Sequence, residues 1–201
     1  KYSEVENIIY NYIEEEPNEP EFWLQQANAF IAQKEYLDAA ANFEVVKMLG
    51  GADSDMYTLL GDIYVNLDAP ILALEPYTRA LSTGEVEPED ALKLAKILSR
   101  RLPANELGIF LTKISETYDD TLSQESSLTL LTLKAANALS MNDKERAMKL
   151  LSEVVSKDPL NGSALLTLGS YYIQENELEK ALDYYDRASK VEAVKVDALL
   201  G

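Results

Sequence analysis

Residues 162–191 read GSALLTLGSYYIQENELEKALDYYDRASKV, and the spacing of Leu168, Gly169, Tyr172, Ala181, Tyr185 and Ala188 recurs along the chain. Thirty-four residues upstream of Gly169, Ala181, Tyr185 and Ala188 stand Ala135, Ala147, Leu151 and Val154. Nearer the N-terminus, Leu60, Gly61, Tyr64, Ala73, Tyr77 and Ala80 repeat the arrangement. One period earlier it is Trp23, Ala27, Phe30, Ala39, Phe43 and Val46. A period of this length marks a solenoid, whose units bury their apolar faces only by stacking on neighbours. The expected fold is therefore all-α.

Apolar residues at spacings of three and four place amphipathic helices near 1–14, 20–33, 36–49, 54–67, 70–83, 88–101, 104–118, 126–140, 144–157, 161–175, 178–191 and 195–201. Breakers stand between them: Pro17 and Pro20, Gly50-Gly51, Gly84 with Pro88, Asp158-Pro159 and Asn161-Gly162. Pro70 and Pro103 fall near first-turn positions, where a missing amide hydrogen costs little. Gly61, Gly169, Ala27, Ala95 and Ala135 share one site on the first helix of each unit. Ala39, Ala73, Ala147 and Ala181 share its counterpart on the second. Small residues at both sites let two helix axes approach at the short end of the usual range, about 8–10 Å. Trp23, Tyr57, Phe30, Tyr64, Tyr172, Phe43, Tyr77 and Tyr185 are then expected to fill the surrounding space.

These positions resemble the tetratricopeptide repeat, a helix pair with an aromatic, Leu, Gly/Ala and Tyr/Phe on its first helix and Ala, Tyr/Phe, Ala and Pro after them. The resemblance runs through essentially all 201 residues. It implies a right-handed α-solenoid of stacked antiparallel helix pairs, one array over 1–201. The repeats are 20–53, 54–87, 88–121, 128–161 and 162–195. Residues 1–19 fit the second helix of a preceding unit, with Val5, Ile9, Tyr12 and Pro17 in register. Ala198-Leu199-Leu200 align with Ala164-Leu165-Leu166, so 196–201 begin a further first helix. The unit 88–121 is degenerate, with Ala91 at the aromatic site and Leu107 at the second-helix small site, and Gly51 stands where the family usually has Pro. Residues 122–127 are an insertion that either lengthens a helix or forms a surface loop. Pro76 lies inside a second helix, where it removes a backbone bond and favours a bend.

Composition bounds the chemistry. Histidine and cysteine are both absent, which removes the commonest general base and metal ligand together with any disulfide or thiol-ligated metal site. No Walker-type loop and no G-x-G-x-x-G after a strand occurs. Paired acids at Glu14-Glu15-Glu16, Glu89-Asp90 and Asp119-Asp120 sit at expected helix ends and turns, where the helix dipole and solvent account for them. Asp53-Ser54-Asp55 opens like a calcium loop, but Tyr57 and the missing Gly and terminal Glu break the pattern. No enzymatic activity, cofactor or metal is expected. The net charge of −17, from 35 acids against 18 bases, repels nucleic-acid phosphates and anionic lipid surfaces and steers basic partners. It also serves solubility. No stretch of eighteen apolar residues and no signal-peptide pattern is present. The segment is read as soluble, and both a cytoplasmic and an exported location stay open.

The resemblance places a binding groove on the concave face, lined from successive first helices. One stripe reads Leu24, Thr58, Leu92, Thr132, Leu166; a second reads Ile31, Val65, Ser99, Leu139, Ile173; a third reads Asn28, Asp62, Lys96, Ala136, Ser170. Packing between repeats is the competing role for the apolar members. The Lys-and-Asn clamp that some relatives use for a peptide carboxylate is not reproduced: Leu24 stands at the nearby Lys position and Asp62 at the second Asn. Glu21, Asp55 and Glu89 recur at the starts of first helices, which suits either helix-terminus stabilisation or a basic-ended partner. The expectation is a non-catalytic scaffold that cradles a peptide or helix, with apolar anchors and an acidic rim. The alternative is a structural module that self-associates through Ile8, Ile9 and Tyr12 at one end and Leu199-Leu200 at the other.

Overall fold

The computed structural model describes residues 2–118, 120–191 and 194. The Val5 side chain, the expected helix at 196–201 and Leu199-Leu200 lie outside the described residues. Among the described residues every regular element is a helix. They run α1 (Tyr2–Glu15), α2 (Pro20–Gln33), α3 (Tyr36–Met48), α4 (Ser54–Asn66), α5 (Pro70–Thr83), α6 (Pro88–Leu98), α7 (Ala104–Tyr118), α8 (Gln124–Ser140), α9 (Lys144–Lys157), α10 (Gly162–Gln174) and α11 (Leu178–Ser189). The chain divides into two compact units, residues 1–87 and 88–201.

Local chemistry explains the helix starts. Pro20, Pro70 and Pro88 open α2, α5 and α6 at positions that need no amide donor. The side chains of Asp53, Ser123, Asp143 and Asn161 cap α4, α8, α9 and α10. They accept from the amides of Met56 at 2.8 Å, Ser126 at 3.1 Å, Arg146 at 3.1 Å and Ala164 at 3.2 Å. Asp53, which opens the calcium-loop-like triplet, is thus a helix cap.

The turn inside each helix pair is built the same way four times. Lys34, Asp68, Asn142 and Asn176 take left-handed backbone conformations with φ of 64°, 56°, 59° and 60°. In each, the following amide reaches back to the carbonyl five residues earlier: Glu35 to Phe30, Ala69 to Tyr64, Asp143 to Ala138 and Glu177 to Tyr172, at 2.8–2.9 Å. This Schellman arrangement satisfies carbonyls that the helix end would orphan and reverses the chain. Asn and Asp tolerate the conformation best among residues with a Cβ. Between pairs, Gly50 and Gly84 make the left-handed turn at φ of 78° and 75°.

The pair 88–121 departs from this scheme. Its first helix was expected to reach 101, yet α6 ends at Leu98. Leu102 stands where the other pairs carry the left-handed residue, and the following Pro103 biases it away from helix. The insertion is divided between a turn and a helix. Thr121 and Leu122 donate to the Tyr118 carbonyl, and from Gln124 onward the extra residues lengthen α8 at its N-terminus. Pro76 is buried inside α5, which continues through it from Pro70 to Thr83.

In the unit 1–87, Ala27, Ala39, Phe43, Val46, Leu60 and Ile63 form the centre of one core. Ile9 and Ile13 of α1 are also buried, and Tyr12 stacks on Phe22 with ring centroids 5.0 Å apart. In the unit 88–201, Ala135, Ala147, Leu151, Val154, Leu165 and Leu168 hold α8, α9 and α10 together. Leu98, Phe110, Leu111 and Ile114 are buried in α6 and α7. The small residues do what their spacing suggests. A Cβ on Gly61 would stand 2.4 Å from Tyr77 Cε1, and one on Gly169 would stand 3.0 Å from Tyr185 Cε2. Gly51 meets Pro20 in the same way, with 2.4 Å between an added Cβ and the proline Cβ. At this point backbone and ring touch where the family's proline would not fit.

Candidate functional site

The three stripes separate into exposed, half-buried and buried members. In the unit 1–87, α2 carries Leu24 and Ile31 half-buried against the core, with Asn28 exposed between them. On α4, the Thr58 hydroxyl donates to the Ser54 carbonyl at 3.0 Å, and Val65 is buried. Asp62 is exposed on one side and engaged on the other, where the Tyr77 hydroxyl donates to its Oδ1 at 2.6 Å.

In the unit 88–201, Leu92 of α6 is buried, while Lys96 is exposed and the exposed Ser99 donates to the Lys96 carbonyl at 2.9 Å. On α8, Thr132 is exposed and donates to the Leu128 carbonyl at 2.8 Å, and Ala136 is exposed beyond it. Leu139 is 40% exposed. On α10, Leu166 is half-buried against the core, Ser170 pairs with the Tyr185 hydroxyl at 2.9 Å, and Ile173 is 41% exposed. Val65 and Leu92 therefore have almost no surface to offer a ligand, because their side chains fill space between helices. Leu139 and Ile173 are the large apolar stripe members that stand in solvent.

The Tyr77–Asp62 and Tyr185–Ser170 pairs were not anticipated from sequence. A signal was present: in both repeats a polar residue follows the glycine, and a tyrosine lies fifteen positions beyond it. The glycine admits the ring, and the next residue on the same helix bonds its hydroxyl.

Burial raises the Tyr77 hydroxyl above its ordinary value of 10.0, and the hydrogen bond to Asp62 and that carboxylate's charge add to the effect. Tyr64 is raised too, first by burial and then by Glu44, to which it donates at 2.8 Å. The folded state thus holds both phenols neutral. The stability they contribute is fully present below pH 10 and falls as pH rises above the unfolded-state value. Urea midpoints at pH 9 and pH 11 are expected to differ less in Tyr77→Phe than in the parent. Equal pH sensitivity in the two proteins would remove Tyr77 as a source of alkaline instability.

The family model of the tetratricopeptide repeat matches residues 132–191, the stretch containing α9, α10 and α11 and most of α8. Residues 132–191 are tetratricopeptide repeat. Solved structures share the fold. YrrB, described as a TPR protein with an unusual peptide-binding site, is 21% identical over 95% of each chain, with a TM-score of 0.53. The C-terminal part of a TPR repeat-containing protein from Cytophaga hutchinsonii is 14% identical, with a TM-score of 0.57 over 96% of this chain and 74% of that one. PilF of Pseudomonas aeruginosa is 18% identical, with a TM-score of 0.53 over 85% of this chain and 75% of the other. At these identities the likeness is one of fold. No curated protein matches the chain in sequence. Among its described residues, no helix is long and apolar enough to cross a membrane.

Proposed function

We propose that this protein is a non-catalytic tetratricopeptide-repeat scaffold that recruits another protein by binding a peptide or a helix on the exposed faces of its first helices. The observation that carries the reading is the exposure of Leu139 on α8 and Ile173 on α10. They lie beside Ala136 and Ser170, which are also exposed. Apolar side chains in solvent at one recurring site give a partner an anchor that burial would make favourable, at about 25 cal/mol per Å² removed from water. Leu24, Asn28 and Ile31 supply the corresponding face of α2. The charge of −17 favours a partner whose segment is basic and apolar, by steering its approach. YrrB's described peptide-binding site is consistent with this use of the fold.

The test is affinity capture from the source extract with two variants matched for surface change. Leu139→Asp with Ile173→Asp alters the first-helix faces. Leu37→Asp with Leu182→Asp alters α3 and α11, where the leucines are 71% and 69% exposed. A stoichiometric partner lost with the first pair and kept with the second is the expected result. Equal capture by both variants would reject the first-helix faces as the recruitment surface.

Self-association is the second reading. Ile8 and Tyr10 stand exposed on α1 beside the buried Ile9 and Ile13. Sedimentation showing a concentration-dependent dimer that Ile8→Asp dissolves would favour it over recruitment of another chain.

A further inference from the structure

A cavity of about 180 Å³ lies within the unit 88–201, where the turn after α6 and the first turn of α7 meet the C-terminal half of α8. Because α6 ends at Leu98, Ser99 and Leu102 reach the cavity from that turn. Leu107 lines it from α7, and Leu133, Asn137 and Ser140 line it from α8. Its volume falls below the roughly 300–1,000 Å³ of sites that enclose whole small molecules, and suits a single side chain.

Asn137 is the polar group in this wall that the fold leaves unserved. The residue is 8% exposed, and its buried Oδ1 accepts no hydrogen bond among the described residues. Folded chains rarely leave a buried acceptor orphaned, so one at a cavity wall points to a ligand. Nδ2 is little better placed, since it donates to the Met141 thioether at 3.8 Å, a weak acceptor. Gly108 of α7 makes room for it: an added Cβ there would stand 3.1 Å from Nδ2. The Ser99 and Ser140 hydroxyls donate to the Lys96 and Ala136 carbonyls at 2.9 and 3.1 Å, which leaves their oxygens as acceptors. None of the eight lining residues is charged.

We propose that this cavity is a specificity pocket for a glutamine side chain of the recruited peptide, an inference that rests on the first-helix faces being the recruitment surface. A primary amide carries N–H donors and a carbonyl acceptor side by side, the complement of the Asn137 amide. Turning the Asn137 amide about Cβ–Cγ, a torsion with broad wells, gives up only the N–H···S contact and brings both its ends to the cavity. The glutamine amide then donates to Oδ1 and accepts from Nδ2, and its second N–H bonds a serine oxygen. Its methylenes pack on Leu102, Leu107 and Leu133. A carboxylate or an ammonium is rejected, because it would be buried with no opposite charge in the wall. The pocket opens on the recruitment stripes, since Ser99 and Ala136 belong to both and are exposed.

Magnetic resonance of the full chain, read at the Asn137 side-chain amide, tests the pocket. The probes are an N-acetylated, C-amidated peptide of alternating leucine and glutamine, its methionine and glutamate counterparts, and propionamide as the bare group. The glutamine peptide and propionamide are expected to shift the Asn137 side-chain signals. The glutamine peptide should bind roughly tenfold more tightly than either counterpart. Asn137→Leu should erase that preference while the peptide still shifts the backbone amides of Leu139 and Ile173. An Asn137 amide unmoved by both the glutamine peptide and propionamide would overturn the pocket, as would equal affinity for the glutamine and methionine peptides. Shifts at Leu139 and Ile173 in that case keep the recruitment surface, which the capture experiment tests on its own.

Discussion

Gly61→Ala is expected to lower stability by about 1 kcal/mol or more, while Gly169→Ala is expected to fall within about 0.5 kcal/mol of the parent. Both glycines lie inside helices, where alanine ordinarily gains about 1 kcal/mol. The difference comes from what each added methyl meets. At Gly61 it would stand 2.4, 2.6 and 2.7 Å from three atoms of the Tyr77 ring. That ring is 1% exposed, and its hydroxyl is held by Asp62 at 2.6 Å. It has nowhere to go, and overpacking of this kind typically costs about 1–3 kcal/mol. At Gly169 the nearest ring atoms are 3.0–3.1 Å away, and Tyr185 is half-buried. A displacement of a few tenths of an ångström relieves that contact, and the helical gain offsets what remains. Thermal melts of the two variants beside the parent measure both effects. A Gly61→Ala protein that melts higher than the parent would refute the close-approach account.

Phe43→Ala is expected to produce the larger loss, about 3–5 kcal/mol. Phe43 is fully buried on α3 within the core that includes Ala27, Ala39, Val46 and Leu60. Truncation removes a ring's worth of apolar contact and leaves a cavity that the surrounding side chains fill only in part. In a repeat array, stability is close to a sum of unit and nearest-neighbour terms. Hydrogen exchange should therefore accelerate first in α2, α3 and α4, whose side chains line that core. Uniform acceleration along the chain would show that the array unfolds as one cooperative body instead.

The consequences of the repeat were largely legible before the structure, and the exceptions have specific causes. The Schellman turns at Asp68, Asn142 and Asn176 carry residues suited to left-handed backbone, but Lys34 does not advertise one. It adopts the conformation because helix pairing on both sides requires the reversal. The early end of α6 depended on Leu102 and Pro103 occupying a position that elsewhere makes this turn. Equal apolarity hid the unequal fates of Val65, Leu92, Leu139 and Ile173. Two are buried and two stand in solvent, although the register treats them alike.

Sequence alone determined the fold class, the helix pairing and the small-residue crossings, because each constraint is local and is written several times over in one period. Tertiary structure alone decided which stripe residues reach solvent, that Tyr77 bonds Asp62, and that Asn137 shares a cavity with Ser99 and Ser140. Those outcomes depend on the angle and separation of helices that are distant along the chain. A single side chain's exposure follows from such geometry, and no periodicity of residue types encodes it.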